Sequence, residues 1–221
     1  PVRRFVAAME APRVGTGEPR PGQREVGIEL DGAFGMEEIR ALGGNDVIRT
    51  GEGMVVDAGA GNDTIYDADG AIIDGGAGAD TIHLSHTSQA AGGAGADSLS
   101  GGEGTDLLDY SGDGGASGVN VDLRAGLATD SHGTTDTLSG FEQVTGTAPA
   151  DTLAGQRADT TLPGGAGDDR FVIRDGDGNT TVTDFAPGSG GGEQIDLTAF
   201  GFGDITDIQA AATELNGDTV I

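Results

Sequence analysis

Residues 75–100, GGAGADTIHLSHTSQAAGGAGADSLS, contain one nonapeptide written twice. Its first copy is GGAGADTIH at 75–83, its second is GGAGADSLS at 92–100, and AGAGNDTIY at 58–66 precedes both. An Asp closes each glycine turn, and an apolar residue follows two positions later. The Asp residues of the three copies are spaced 17 apart: Asp63, Asp80 and Asp97. The spacing predicts a structural repeat of 17 residues.

Further copies of the motif extend this repeat. ALGGNDVIR at 41–49 adds Asp46 one step of 17 earlier, whereas GGEGTDLLD at 101–109 and GGAGDDRFV at 164–172 depart from the period. The second residue after the Asp is apolar in every copy: Ile48, Ile65, Ile82, Leu99, Leu108 and Phe171. One inward side chain on a three-residue strand fits the alternation of a β-strand, so each unit is expected to run turn, short strand, turn.

The turn residues have the composition of a site for a hard cation. Glycines at alternating positions permit positive φ, which turns backbone carbonyls toward a common centre, and the Asp adds a carboxylate. Carbonyl and carboxylate oxygens are the ligands that Ca²⁺ prefers, at about six to eight per ion. The gaps between stacked turns suggest about three to six ions. The candidate calcium-binding residues are Gly44, Asp46, Gly59, Gly61, Asp63, Gly76, Gly78, Asp80, Gly93, Gly95, Asp97, Gly102, Gly104, Asp106, Gly165, Gly167 and Asp169.

The motif resembles the nonapeptide GGxGxDxUx, with U apolar, of the repeats-in-toxin (RTX), or haemolysin-type calcium-binding, family. The resemblance covers roughly residues 33–109 and 151–184. It implies a right-handed parallel β-roll, in which each calcium ion lies between stacked turns and is shared by two Asp carboxylates and several carbonyls. The expected fold is all-β: a right-handed parallel β-roll (β-solenoid) with a β insert and a C-terminal capping region that contains one short helix.

Each 17-residue unit divides into an eight-residue half and a nine-residue half. The eight-residue halves TGEGMVVD, DADGAIID and LSHTSQAA keep apolar positions at Val56, Ile73 and Ala90 but lack the closing Asp. One edge of the roll is therefore expected to carry a column of calcium turns. The opposite edge is expected to have shorter turns that bind calcium weakly or not at all. The glycine-poor half LSHTSQAA is expected to form a local bulge.

Interruptions of the repeat divide the chain into five expected segments. These are a linker or tail of a preceding module (1–30), a first β-roll block (31–109), a β insert without calcium turns (110–150), a second β-roll block (151–184) and a cap (185–221). In the cap, residues 204–215 follow a helical pattern, with Asp204 as N-cap and Asn216-Gly217 as the stop signal. A short strand, DTVI, is expected to follow.

Composition excludes several classes of site. The chain has no Cys, which excludes disulfides and thiolate metal sites, and no Lys, which excludes a Walker-type phosphate loop and Schiff-base chemistry. A net charge of −26 disfavours nucleic acid and anionic membranes and attracts divalent cations. No HExxH or GxSxG motif occurs, no catalytic residue is identified, and the protein is expected not to be an enzyme. Neither a signal peptide nor a transmembrane run is found.

Two other patterns are weaker candidates for metal sites. His83 and His86 form an HxxH pair that lacks a third zinc ligand. DGDGN at 175–179 begins like an EF-hand loop, but Thr180 and Ala186 stand where that loop needs Gly and Glu. This favours a degenerate RTX turn with at most one calcium ion.

The composition also suggests how calcium would act on the chain. With few aromatic residues and a strongly negative charge, the calcium-free chain buries little apolar surface and repels itself, so calcium binding would supply free energy of folding. The expected function is a non-catalytic, calcium-binding RTX module of a secreted or cell-surface protein of a Gram-negative bacterium. The resemblance implies that the chain leaves the cell unfolded by type I secretion and folds on Ca²⁺ outside.

The expected partners are calcium ions and other RTX modules or surface components, without nucleic acid and without membrane insertion. One alternative is the C-terminal RTX domain of a secreted hydrolase, such as a serralysin-like protease or an alginate epimerase, with catalysis upstream of this chain. A third is a structural protein of a phage or particle. An HExxH-bearing or β-helical domain before residue 1 would favour the hydrolase, whereas further repeats would favour the structural module.

Overall fold

The computed structural model consists of short strands that wind between two long sheets. It describes residues 3–6, 23–27, 37–186, 192–202, 206, 213–215 and 218–220. The strands are β1 (Arg3–Val6), β2 (Gln23–Gly27), β3 (Glu37–Arg40), β4 (Asn45–Arg49), β5 (Val55–Asp57), β6 (Thr64–Tyr66), β7 (Ile72–Asp74), β8 (Thr81–His83), β9 (Gln89–Ala91), β10 (Ser98–Ser100), β11 (Leu107–Asp109), β12 (Asn120–Asp122), β13 (Leu127–Thr129), β14 (Thr135–Ser139), β15 (Gln143–Thr145), β16 (Thr152–Ala154), β17 (Thr160–Thr161), β18 (Arg170–Val172), β19 (Thr180–Thr181), β20 (Gln194–Asp196), β21 (Thr213–Leu215) and β22 (Asp218–Val220).

The two sheets have the topology of a parallel β-roll. The first sheet has the order β1-β3-β5-β7-β9-β11-β15-β17-β19, and the second has the order β2-β4-β6-β8-β10-β14-β13-β12-β16-β18-β20. Neighbouring strands are parallel throughout both sheets, except that β13 is antiparallel to β12 and to β14. The prediction of an all-β, parallel β-roll is confirmed.

The register stacks equivalent residues of successive coils on one another. In the second sheet Ile65 pairs with Ile48 and Ile82, and in the first sheet Ile73 pairs with Val56 and Ala90. All of these side chains are buried, so the predicted apolar positions form the core between the sheets. Burying one such aliphatic side chain contributes about 1.5–3 kcal/mol.

The strands of LSHTSQAA and GGEGTDLLD show where the period of 17 breaks. β9 keeps the 17-residue register of β7, so the expected bulge is absent from this strand. β11 instead pairs with β9 at an offset of 18 residues, because the turn before β11 is a nonapeptide where earlier coils have an octapeptide. The next coil adds the β12–β13–β14 excursion, whose core includes the large side chains of Tyr110 and Phe141.

The structure describes parts of both ends of the chain. β1 and β2 lie in the segment that the sequence suggested as a linker, and they pair in parallel with β3 and β4. Near the other end, β20 pairs with β18, and a 3₁₀ helix follows at Thr198–Phe200. No helix in the described parts of the chain is long and apolar enough to cross a membrane.

The helix predicted for 204–215 is wrong at its C-terminal end. Thr213–Leu215 is a strand, β21, and it pairs antiparallel with β22. The two-residue connection is Asn-Gly, which favours a tight hairpin turn as well as a helix stop, and here it closes a hairpin. Thr206 is helical, whereas residues 203–205 and 207–212 of the predicted helix lie outside the described residues.

Candidate metal sites

The turns between the sheets form two opposite edges of the roll. Turns that run from the first sheet to the second form the first edge, and turns that run back form the second edge. Five of the six predicted turns lie on the first edge, and their closing residues are Asp46, Asp63, Asp80, Asp97 and Asp169. The sixth turn, closed by Asp106, connects β10 to β11 and therefore lies on the second edge.

The Asp residues of the first edge are joined in a ladder of hydrogen bonds. The backbone N–H of Asp46 donates to Oδ1 of Asp63 at 2.7 Å. In the same way Asp63 donates to Asp80 at 2.7 Å, and Asp80 donates to Asp97 at 2.8 Å. All four side chains are buried. The ladder places one carboxylate per coil in a straight column but uses only Oδ1 of each acceptor.

In the turns of both edges, most of the carboxylates have a second oxygen that lacks a hydrogen-bond donor in the described structure. Oδ2 has no hydrogen-bond partner within the described residues in five of them: Asp63, Asp80, Asp97, Asp106 and Asp169. Burial raises the pKa of Asp80 to about 7 and the pKa values of Asp106 and Asp169 to about 6, because removal from water disfavours the charged form. A buried, unpaired carboxylate oxygen is costly, and a cation beside it would offset that cost.

The glycines of each turn bring backbone oxygens close to the carboxylates. Gly78 has a φ of 135°, and a Cβ at this position would collide with the carbonyl oxygen of Gly61 in the preceding coil. A Cβ on Gly75 would lie 2.7 Å from Oδ2 of Asp80 and 2.7 Å from the carbonyl oxygen of Gly92 in the next coil. Oxygens from two coils therefore converge beside a residue that must lack a side chain.

This donor set fits Ca²⁺. It combines buried carboxylates with carbonyl oxygens, which are hard ligands, and the Gly and Asp residues predicted from the sequence lie together in these turns. The described residues contain no group of three or more His, Cys, Asp or Glu that could hold a metal ion. The remaining ligands would therefore be backbone carbonyls, as alternate glycines in the turns allow.

Three acidic residues outside the six copies of the motif occupy the same position in their coils. Asp136 accepts the backbone N–H of Asp97 at 3.0 Å, and Glu142 accepts that of Asp106 at 3.1 Å. Glu193 precedes Ile195 by two residues and helps to raise the pKa of Asp169. The signal that all three share in the sequence is an acid two residues before an apolar residue, and Glu193 in addition follows the glycine-rich stretch GSGGG at 188–192.

Asp136 and Asp151 lack the unpaired oxygen of the repeat turns. Asp151 accepts hydrogen bonds at Oδ1 from Val119 N–H, at 2.6 Å, and from the Thr147 hydroxyl, at 2.7 Å, and at Oδ2 from Thr147 N–H, at 2.7 Å. Oδ2 of Asp136 accepts a hydrogen bond from the Tyr110 hydroxyl at 3.1 Å. Both carboxylates are therefore satisfied by protein donors.

The two weaker candidates do not resemble the repeat turns. The His83 ring stacks on Tyr66, with centroids 5.1 Å apart, on the outer face of the second sheet. In DGDGN, Asp177 accepts the N–H of Arg174 at 2.9 Å and pairs with the Arg124 guanidinium at 3.2 Å. An arginine therefore pairs with Asp177 in the stretch for which the sequence favoured a degenerate calcium turn.

Comparison with known proteins agrees with the geometry of the turns. A family model of the RTX calcium-binding nonapeptide repeat, in four copies, matches residues 31–53, 55–82 and 89–115. No curated protein matches the chain significantly. Repeats of this family bind Ca²⁺ and are typical of secreted bacterial proteins. Residues 31–115 are therefore a calcium-binding module of RTX nonapeptide repeats.

Proposed function

We propose that this chain is a non-catalytic module of a secreted or cell-surface bacterial protein and that it folds when it binds calcium outside the cell. One observation carries the proposal. The first edge holds a column of buried carboxylates in which Asp63, Asp80 and Asp97 each have an oxygen that lacks a donor within the described residues. Such a column is unfavourable without cations and favourable with them.

The calcium ligands in this proposal are the Gly and Asp residues predicted from the sequence. The Asp of each turn provides its unpaired Oδ2, and backbone carbonyls of the same and the adjacent coil complete the site. Asp80 Oδ2 and the Gly92 carbonyl oxygen, which flank Gly75, are the best-defined pair. A bound Ca²⁺ supplies two positive charges that neutralise the carboxylates and tie adjacent coils together.

The calcium-free column opposes folding because its charges repel one another. Adjacent strands lie about 4.8 Å apart, and two unit charges at about 4 Å repel by about 4 kcal/mol at an effective dielectric constant of 20. The net charge of −26 adds repulsion over longer distances. Extracellular calcium modules bind with dissociation constants of about 10⁻⁴ to 10⁻³ M. Cytosolic calcium lies well below that range, so the carboxylates of the column would remain without a bound cation inside the cell.

One groove on the first sheet supports the non-catalytic part of the proposal, whereas a second groove of about 220 Å³ on this sheet is lined by Glu142 and Asp159. The first groove, of about 400 Å³, is lined by Ile72, Gln89, Leu107 and Gln143 together with small and hydroxyl side chains. None of its lining residues is a carboxylic acid or a histidine, so it offers no strong general acid or base. Assays for protease and polysaccharide cleavage are expected to be negative, and reproducible turnover would contradict this part.

A calcium titration followed by far-UV circular dichroism tests the folding switch. A cooperative gain of β signal at sub-millimolar to millimolar Ca²⁺ is expected. Mg²⁺ should not reproduce it, because Mg²⁺ demands a compact octahedral site and gives up its waters reluctantly. A spectrum that is already fully folded in chelator would contradict calcium-driven folding.

A further inference from the structure

We propose that the second edge of the roll carries one calcium site of its own, formed by Asp106 together with Glu142. The inference rests on the proposed function, because it assumes that the repeat turns bind calcium. It departs from the motif, since Glu142 lies in no glycine turn. It also changes the expectation that the second edge binds calcium weakly or not at all.

The hydrogen bonds around Asp106 reproduce the ladder of the first edge. There, the N–H of one Asp donates to the carboxylate of the next coil, as between Asp63 and Asp80 at 2.7 Å. On the second edge the N–H of Asp106 donates to Oε2 of Glu142 at 3.1 Å. β11 and β15 are paired, with Leu108 opposite Val144, so Glu142 has the position that a repeat Asp would have in the next coil.

The oxygens around Asp106 also match those of the first edge. Asp106 is fully buried, and its Oδ2 has no partner within the described residues. A Cβ on Gly101, the first residue of this turn, would collide with the carbonyl oxygen of Gly140 in the next coil and lie 3.1 Å from Cβ of Asp106. The equivalent Gly75 lies between Asp80 and the Gly92 carbonyl, so an Asp side chain and a carbonyl of the next coil flank the first glycine on both edges.

Hydroxyl residues on both sides isolate this pair. In the preceding coil the equivalent residue is Ser88, whose N–H donates to Asp106 Oδ1 at 2.9 Å and whose hydroxyl donates to Asp67 at 2.6 Å. In the following coil it is Thr160, next to Thr161, which pairs with Gln143. Among the described residues the second edge thus offers one pair of carboxylates at the ladder position, beside Asp67, whose oxygens accept the hydroxyls of Thr50 and Ser88. The first edge offers a column, so one ion is expected here.

Ion counting in charge-neutralised variants tests this site. Native mass spectrometry at saturating Ca²⁺ should show one ion fewer in Glu142→Gln than in the unaltered chain, and one ion fewer in Asp106→Asn. The double variant should lose no more than either single variant, because both residues would hold the same ion. Glu103→Gln is the matched control: Glu103 lies exposed in the same turn, and its loss of charge should leave the count unchanged.

Each other outcome contradicts a defined part of the proposal. A full complement of ions in Glu142→Gln, with an ion lost in Asp106→Asn, would show that Glu142 is not a ligand. A loss of several ions in Glu142→Gln would show that the second-edge site is not separate from the column. An unaltered chain that binds no Ca²⁺ would overturn the proposed function itself, which separates that failure from the failure of this inference.

Discussion

The coils of residues 41–109 and those of residues 110–162 bury carboxylates at equivalent places and satisfy them differently. In the first set, Asp80 leaves Oδ2 without a partner in the described structure. In the second set, Asp151 has three donors, of which two belong to Thr147. A side-chain hydroxyl at the start of the turn thus does for Asp151 what a cation would do for Asp80.

The same replacement occurs at two other buried Asp residues that close no glycine turn. Asp136 receives the Tyr110 hydroxyl, and Asp67, on the second edge, receives the hydroxyls of Thr50 and Ser88 at 2.8 and 2.6 Å. The difference between the regions teaches that one β-roll can be held together by cations in some coils and by its own donors in others.

Arginine pairs and larger core residues add to the contrast. Arg174 makes two hydrogen bonds to the carboxylate of Asp122, at 2.7 and 2.9 Å, and so ties β12 to the loop after β18. The core of the insert contains the aromatic side chains of Tyr110 and Phe141, whereas the buried hydrophobic residues at 41–109 include no aromatic residue. We therefore expect residues 110–162 to depend less on calcium than residues 41–109.

The largest expected effect is that removal of calcium lowers the protection of backbone amides against hydrogen exchange much more in residues 41–109 than in residues 110–162. In chelator, amide hydrogen exchange should accelerate roughly 100-fold or more in β6, β8 and β10, since ligand at 100 times its dissociation constant is worth about 2.7 kcal/mol. Strands β12, β14 and β16 should keep most of their protection. Hydrogen exchange with mass spectrometry measures both, and a uniform loss along the chain would contradict the contrast.

The next effect is an inverted pH dependence of the calcium-free protein. The folded-state pKa values of Asp80 and Asp136, about 7, lie above the unfolded value of 3.8, and the pKa values of Asp106 and Asp169 are raised to about 6, in each case chiefly by burial. The folded state thus binds more protons between these values, so its stability should be greatest near pH 4 and fall as the pH rises through 6 to 7.

Circular dichroism of the metal-free protein between pH 4 and 8 measures this dependence. With saturating Ca²⁺ the direction should reverse, because protons compete with the ion for the same carboxylates. Metal-free protein that is more structured at pH 8 than at pH 5 would contradict the presence of buried, uncompensated carboxylates in the roll.

A smaller effect, with opposite signs in the two conditions, is expected for Asp80→Asn. With calcium the variant should bind roughly 10- to 100-fold more weakly, equivalent to about 1.4–2.7 kcal/mol, because a charged ligand in the middle of the column is lost. In chelator it should be at least as stable as the unaltered chain, because a buried charge is removed.

Calcium titration of this variant measures the expected loss of affinity, and urea unfolding in chelator measures its stability without calcium. Asp69→Asn is the matched control, since Asp69 is exposed outside the ladder of the first edge and its loss changes the net charge equally. Destabilisation of Asp80→Asn in chelator would show that this carboxylate stabilises the fold without a cation.

The smallest effect is expected for Thr147→Val. This change keeps the side-chain shape and removes the hydroxyl donor to Asp151, which should cost about 0.5–1.5 kcal/mol in chelator, because Oδ1 of Asp151 keeps the N–H of Val119 as a donor. Thr145→Val, on the outer face of β15, should cost much less. Thermal unfolding in chelator compares the two, and equal stability of the Thr147 variant and the unaltered chain would show that the hydroxyl does not replace a cation.

Much of the fold was predictable because the repeat is local. Gly-x-Gly-x-Asp followed by an apolar residue specifies turn and strand within nine residues, so the strands after Asp63, Asp80 and Asp97 were predicted correctly. The hairpin at β21 and β22 was not, because Asn-Gly ends helices and closes hairpins alike. Glu142 was also missed, because nothing local distinguishes it from an exposed acid.

The amino-acid sequence by itself determined the repeat, the β-roll and the family of residues 31–115, since period and motif are properties of neighbouring residues. Only the tertiary structure decided which edge each turn occupies and which carboxylates find a protein donor. Those answers depend on coil stacking: Asp106 lies on the second edge because its turn connects β10 to β11, and β12–β14 bring Tyr110 to Asp136. Contacts between residues 17 to 39 positions apart cannot be derived from a nine-residue motif.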